Sequence, residues 1–179
     1  MRTRYFMQFE KNIEHIQNST KCDYSFKLFY ANLVTVMETY LSNIFIDTVS
    51  TNTNLMKRLT KSNKFKNQNV NLYIALTNDM NKYIVGLIKQ IIFHNLSNIR
   101  PLFKEVLDIE VSIKQEILDL IEKRHHIIHR NGFDKNNNSV SIRVEDIDTT
   151  INFLTKYIER IDQQFIEKFQ INQKLSAFL

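Results

Sequence analysis

Residues 23–49 read DYSFKLFYANLVTVMETYLSNIFIDTV. Phe26, Phe29, Leu33, Val36, Met37, Tyr40, Leu41, Ile44 and Phe45 fall at three- and four-residue steps along it. That spacing returns a side chain to the same face of a helix on each turn, so one apolar stripe is offered for burial. No Gly or Pro interrupts the run, and the whole chain holds only two Gly and one Pro in 179 residues. A long helix from Asp23 to Val49 is predicted. The scarcity of breakers extends the same expectation, an all-α fold, to the rest of the chain.

Working outward, Phe6, Phe9, Ile13 and Ile16 predict a helix over Arg4 to Gln17, closed by the polar run Asn18, Ser19 and Thr20. Downstream, Thr51 to Asn71 is rich in Asn, Lys, Ser and Thr. No acidic residue lies between Asp47 and Asp79, while Lys57, Arg58, Lys61, Lys64 and Lys66 do. It reads as a basic connector with one short helix around Leu55 to Leu59. A third long helix is expected from Val70 to His94, with Leu72, Leu76, Met80, Ile84, Leu87, Ile88 and Ile91 inward. Arg100-Pro101 predicts a turn, because proline restricts the residue before it and cannot donate, and a short helix is expected over Leu102 to Leu107. Ser112 with Gln115 matches a capping box, opening a helix that stops at Asn131-Gly132. Asp134 to Ser139 is read as a flexible Asn-rich loop, and 139–144 as a short strand or extended segment. A last helix is expected from Asp146 to at least Phe169. No linker divides the chain, so one domain over 1–179 is expected.

The composition narrows the class. The chain is 43% apolar and 24% charged, with net charge +5 and a pI of about 9.2. These values permit phosphate binding without establishing it. The single cysteine, Cys22, rules out an intrachain disulfide and is read as an idle or buried thiol. The N-terminal MRTRYFMQFEKN lacks the apolar core of a signal peptide, and no apolar run reaches the ~18 residues of a membrane span. A cytoplasmic protein without membrane contact is expected. No Gly-rich phosphate loop, dinucleotide fingerprint or Ser-His-Asp order appears, and no cofactor is expected.

The densest chemistry is Arg124-His125-His126-Ile127-Ile128-His129-Arg130-Asn131-Gly132, which holds three of the five histidines. Histidine titrates near pH ~6.5, and arginine presents a planar cationic fork suited to phosphate. At ~100° per residue, His129 lies ~140° round a helix from Arg124, while His125 and His129 share a face. A long Arg side chain can still bend toward His129, especially where the helix frays. A histidine near a helix end is also favourable merely as a cation at the negative pole of the helix dipole. Zinc on His125 and His129 would need a third or fourth ligand. No Glu completes an H-E-x-x-H pattern, and His15, Cys22 and His94 are scattered, so no metal is expected.

The string R-H-x-x-x-H-R-N-G resembles the signature of the HEPN family: an Arg, usually a polar residue next, then His late in a helix. Arg124, His125 and His129 fill those positions. Leu33-Val34-Thr35-Val36-Met37-Glu38-Thr39-Tyr40-Leu41 is similar to the Glu-containing helix of stand-alone prokaryotic members, and a long helix follows the motif as in the family. The resemblance implies an antiparallel helical bundle of about five to six helices that forms a homodimer, with the two motifs meeting in one cleft. It implies metal-independent endoribonuclease activity of the toxin, abortive-infection or anti-phage defence type, with RNA as substrate and an antitoxin or defence-system partner. Arg124 would stabilise charge on the phosphate, His129 would serve as general base or acid, and His125 would orient the site. Glu38 would position Arg124, and Asn131 would support the turn. Some toxins of the family carry a modifiable Tyr two residues after the motif His. Here that position is Asn131, which speaks against that style of antitoxin. Lys57, Arg58, Lys61, Lys64, Lys66 and Arg130 are candidate RNA contacts, although a solvated basic loop is the commoner explanation of such a run. The alternative from another class is a non-catalytic module that binds RNA, nucleotide or a partner protein.

Overall fold

The computed structural model describes residues 2–18, 23–77 and 79–169. Ser19, Thr20 and Cys22, read above as a polar break and an idle thiol, lie outside the described residues. The fold is all-helical. Among the described residues there are eight helices, α1 (Arg4–Asn18), α2 (Asp23–Ser50), α3 (Thr53–Lys61), α4 (Leu72–Thr77), α5 (Met80–Lys89), α6 (Leu96–Leu107), α7 (Gln115–His129) and α8 (Val144–Phe169). No helix is long and apolar enough to cross a membrane among them.

The chain folds as two compact units, one of Met1–Tyr40 with Lys114–Leu179 and the other Leu41–Ile113. In the first, the expected stripes of α1, α2 and α8 are the core. Phe6, Phe9, Leu33, Met37, Leu154, Ile158 and Phe165 are almost fully buried, with Ile117 and Leu120 of α7. Phe9 meets Tyr40 edge-on, with ring centroids 6.2 Å apart. One carboxylate is buried there. Asp162 is fully enclosed and accepts hydrogen bonds from the Thr3 amide (3.0 Å), the Thr3 hydroxyl and the Tyr40 hydroxyl (2.9 Å). A buried charge is tolerated only when its lone pairs are met this way. Burial, then the adjacent Asp162 charge, pushes the Tyr40 phenol far above its ordinary range, so it stays a donor. Thr3 also accepts from the Phe6 amide (3.1 Å), opening α1.

In the second unit, Phe45 packs on Phe103 and Phe93 at 5.1 and 6.0 Å. Asn52 opens α3 by accepting from the Asn54 and Leu55 amides. The Arg58 guanidinium donates to the Glu105 carbonyl (3.2 and 2.9 Å), and the Glu105 carboxylate accepts from the Asn63 amide (2.8 Å) and side chain.

Several boundaries differ from the sequence reading. The stretch 70–94 forms two helices rather than one. Asp79 starts α5 by accepting from the Asn81 amide (2.9 Å), and Leu72 and Leu76 of α4 are 80% and 86% exposed, not inward. Pro101 lies inside α6, not in a turn. Its missing N–H leaves one carbonyl without a helical partner, but Leu96, Ile99, Leu102, Phe103, Val106 and Leu107 are all buried, and that packing holds the helix through it. The Ser112–Gln115 capping box does not form: α7 opens at Gln115 behind Lys114, because Ile109 and Val111 are drawn into the core as an irregular run. Residues 139–143 have no regular structure beyond one antiparallel bridge between Phe133 and Ser139. The Asn-rich loop is stitched shut, with the Asp134 carboxylate accepting from the Asn136 and Asn138 amides at 2.8 Å each.

Candidate functional site

The first unit carries the R-x4-H string on the last turns of α7. The helix ends because Asn131 and Gly132 both take positive φ, 53° and 82°. The His126 carbonyl then accepts from the Arg130 amide (3.2 Å) and the Gly132 amide (3.0 Å). Gly suits the left-handed conformation at no steric cost, and Asn is the next most tolerant residue. The Lys27 side chain lies over Gly132 so closely that a methyl there would meet its Nζ at 2.9 Å. Asn131 thus acts through the backbone of the turn that ends the motif helix.

Arg124 and His129, ~140° apart on an ideal helix, are brought together by the length of the arginine. Arg124 Nη1 lies 3.2 Å from His129 Nε2 at the exposed helix end. Guanidinium has no acceptor, so Arg124 donates and His129 accepts on Nε2, which places the ring proton of the neutral imidazole on Nδ1. His125 packs on the same face, with ring centroids 4.9 Å from His129. Partial desolvation, followed by electrostatic interaction with His129, Arg130, His126 and Arg124, holds the His125 imidazolium below its ordinary range. His126 points inward, 7% exposed, with Nε2 3.8 Å from Glu122 Oε1. Glu122 itself is engaged by Lys135 at 2.9 Å, and that hydrogen bond first, with the cation's charge, lowers its carboxyl.

Two polar atoms here are buried without a hydrogen-bond partner, Arg124 Nε and His126 Nε2. Beside Arg124 runs an open groove of about 390 Å³ between α2 and α7, lined by Leu28, Phe29, Ala31, Asn32, Thr35, Arg124 and Ile128. The polar α2 residues on this wall are Asn32 and Thr35. Glu38, expected to position Arg124, sits half-buried one turn further along α2, and Arg124 is hydrogen-bonded to His129. Sequence reasoning missed Lys27, Asn32 and Thr35. Each lies some ninety or more positions before the motif, and only tertiary packing brings them near it. Lys123 stands 5.8 Å over the Tyr30 ring, adding a cation to this end of α7, and Arg130 is exposed just past the helix.

The other candidate contacts lie in the second unit. Lys57, Arg58 and Lys61 are on α3, and Lys64 and Lys66 in the turn after it. Arg58 is committed to the Glu105 carbonyl, and Lys66 donates to the Asn63 side chain at 2.7 Å. Among the described residues no three His, Cys, Asp or Glu side chains converge as metal ligands. No protein-family model, no curated protein and no solved structure matches the chain.

Proposed function

We propose that the protein is an endoribonuclease of the HEPN type, cutting RNA by metal-independent transesterification at Arg124 and His129. The observation that carries this reading is the Arg124–His129 contact at an exposed helix end. A cationic fork and an unprotonated imidazole nitrogen are the two groups that an in-line attack on a phosphodiester needs, and here they lie within one hydrogen bond of each other. The surrounding cations Lys27, Lys123 and Arg130 favour an anionic chain at this surface.

The chemistry follows from the atoms. Arg124 leaves His129 Nε2 for a non-bridging phosphate oxygen, which frees the nitrogen lone pair. His129 takes the proton of the ribose 2′-OH as the O2′–P bond forms. Charge grows on the non-bridging oxygens against the guanidinium. The P–O5′ bond breaks, and the departing 5′-oxygen needs a proton from a second acid. One His129 cannot give and take at once, so the same histidine of a second copy, there in its imidazolium form, gives that proton and ends neutral as the first ends protonated, in keeping with the homodimer that the resemblance implies. His125, packed against His129 with ring centroids 4.9 Å apart, orients its ring. A toxin or defence effector held in check by a partner is the biological setting that this resemblance suggests.

The test is cleavage of labelled RNA by the purified chain in EDTA, beside Arg124→Ala and His129→Ala. Cutting that leaves 2′,3′-cyclic phosphate ends and is lost in both variants is expected. Cleavage that persists in both, or a wild type that binds RNA and never cuts it, overturns the proposal.

A further inference from the structure

The second unit presents an apolar face that its own fold leaves open. Helix α4 has no buried side chain. Leu72, Tyr73 and Leu76 are 80%, 73% and 86% exposed, and their spacing sets all three on one stripe. A six-residue helix is marginal in water without packing. Here Asn71 opens it, its side chain accepting from the Tyr73 amide at 2.8 Å and its carbonyl from the Ala75 amide at 3.0 Å. On either side of α4 in the chain, Val70 and Met80 line one groove of about 140 Å³ together with Leu59, Phe65, Tyr83 and Leu87. The helix is therefore flanked in the chain, on both sides, by residues of a mostly apolar pit sized for one large side chain.

The charge around this face is mainly positive, with Glu105 on Asn63 and Asp79 beside Met80 as its acids. The unit holds nine Lys and Arg against five Asp and Glu, four of the five net positive charges of the whole chain. From 48 to 78 there is no acid at all. Lys61 and Lys64 flank the groove residues Thr60 and Phe65, Lys64 stands 5.9 Å over the Phe65 ring, and Lys66 lines the groove itself.

We propose that this face docks an acidic amphipathic segment of a partner protein, with an apolar anchor in the pit, a further apolar contact on α4, and carboxylates against Lys61 and Lys64. Large exposed apolar surface rimmed by charge marks an interaction site, and helix-in-groove recognition uses such anchors. Nucleic acid would satisfy the lysines but brings no aliphatic group to Leu72, Leu76 or the pit. A second copy meeting the same face would set lysine against lysine. A lipid surface is flat, whereas the groove is a pit.

The test uses the full chain as bait for a display library of short random peptides, with phosphatidylserine vesicles and single-stranded RNA as parallel probes. Two variants are compared, Leu72→Ser with Leu76→Ser, and Lys61→Glu with Lys64→Glu. All four side chains are exposed, and thermal melts check that the fold is kept. The expected result is peptides richer in Asp and Glu than in Lys and Arg, with apolar residues three or four apart, binding each variant at least about tenfold more weakly. Peptides without acidic excess, or with equal affinity for the variants, overturn the proposal. So does vesicle or RNA binding that the same substitutions abolish while no peptide is selected, or self-association that Leu72→Ser with Leu76→Ser removes. None of these readouts depends on RNA cleavage.

Discussion

Arg124→Met should move stability and activity in opposite directions. The methionine keeps the length and apolar stem of the arginine, and the two residues have similar helix propensities. What it removes is a buried Nε with no hydrogen-bond partner and an exposed Nη1 that donates to His129 at 3.2 Å. Relief of a buried unpaired donor is worth ~1–3 kcal/mol, and loss of one ordinary hydrogen bond costs ~0.5–1.5 kcal/mol. At the midpoints of these ranges the balance is a gain of about 1 kcal/mol, or a rise in melting temperature of about 2–4 °C for a chain of this length. Cleavage should fall by ~10²–10³, the usual effect of removing one donor from developing charge. Circular dichroism melts and kcat/KM on a labelled RNA measure the two quantities on the same preparation. A lower melting temperature together with lost cleavage would mean that Arg124 is a structural tie. Full cleavage by the variant would remove Arg124 from the chemistry altogether.

Three further outcomes follow from the geometry. His125 has its imidazolium held below the ordinary histidine value, so the unfolded chain binds that proton more readily than the folded one. Its contribution is intact above pH ~6.5 and is lost as pH falls through the lowered folded value; urea melts across that range should show a shallower pH slope for His125→Asn, and an unchanged slope would contradict the assignment. Asp162→Ala strands the Thr3 amide, the Thr3 hydroxyl and the Tyr40 hydroxyl inside the first unit and should cost roughly 3–5 kcal/mol by urea titration, whereas a loss under about 1 kcal/mol would show that the network is replaceable. Gly132→Ala puts a methyl at φ 82° and against Lys27 Nζ at 2.9 Å; a loss of ~1–2 kcal/mol is expected from the backbone alone, since the lysine end can swing away, and a neutral result would mean that the turn relaxes.

Legibility in the sequence followed how much each element depends on its own residues. The stripes of α1, α2 and α8 bury on the faces that their spacing indicates, because long helices with one apolar side have one way to pack. Periodicity failed at 70–94, where Leu72 and Leu76 continue the stripe of α5 in sequence but not in space. An apolar pattern states which residues seek burial and not whether the fold supplies it. Pro101 and Ser112 misled for a related reason. Each carries a strong local preference, and core packing of α6 in one case and of Ile109 and Val111 in the other outweighs it. The chemistry-bearing string was legible as a motif. Its geometry was not, because an ideal helix sets Arg124 and His129 on different faces and only the reach of the arginine closes the gap.

The distribution of unmet costs argues for where the chemistry lies. Asp162, the most buried charge of the described core, accepts three hydrogen bonds. The fold thus satisfies a difficult polar group where it has only stability to serve. At the end of α7 the opposite holds within nine residues. Arg124 Nε and His126 Nε2 are buried without a hydrogen-bond partner, desolvation and then its neighbours disfavour the His125 imidazolium, and Asn131 and Gly132 both take positive φ. The turn suits its Asn and Gly, whereas the first three features are unfavourable singly. Their concentration around one arginine–histidine contact is the pattern expected where local rules give way to function. It is independent of any motif resemblance, because it would single out the same turn in a chain whose sequence resembled nothing.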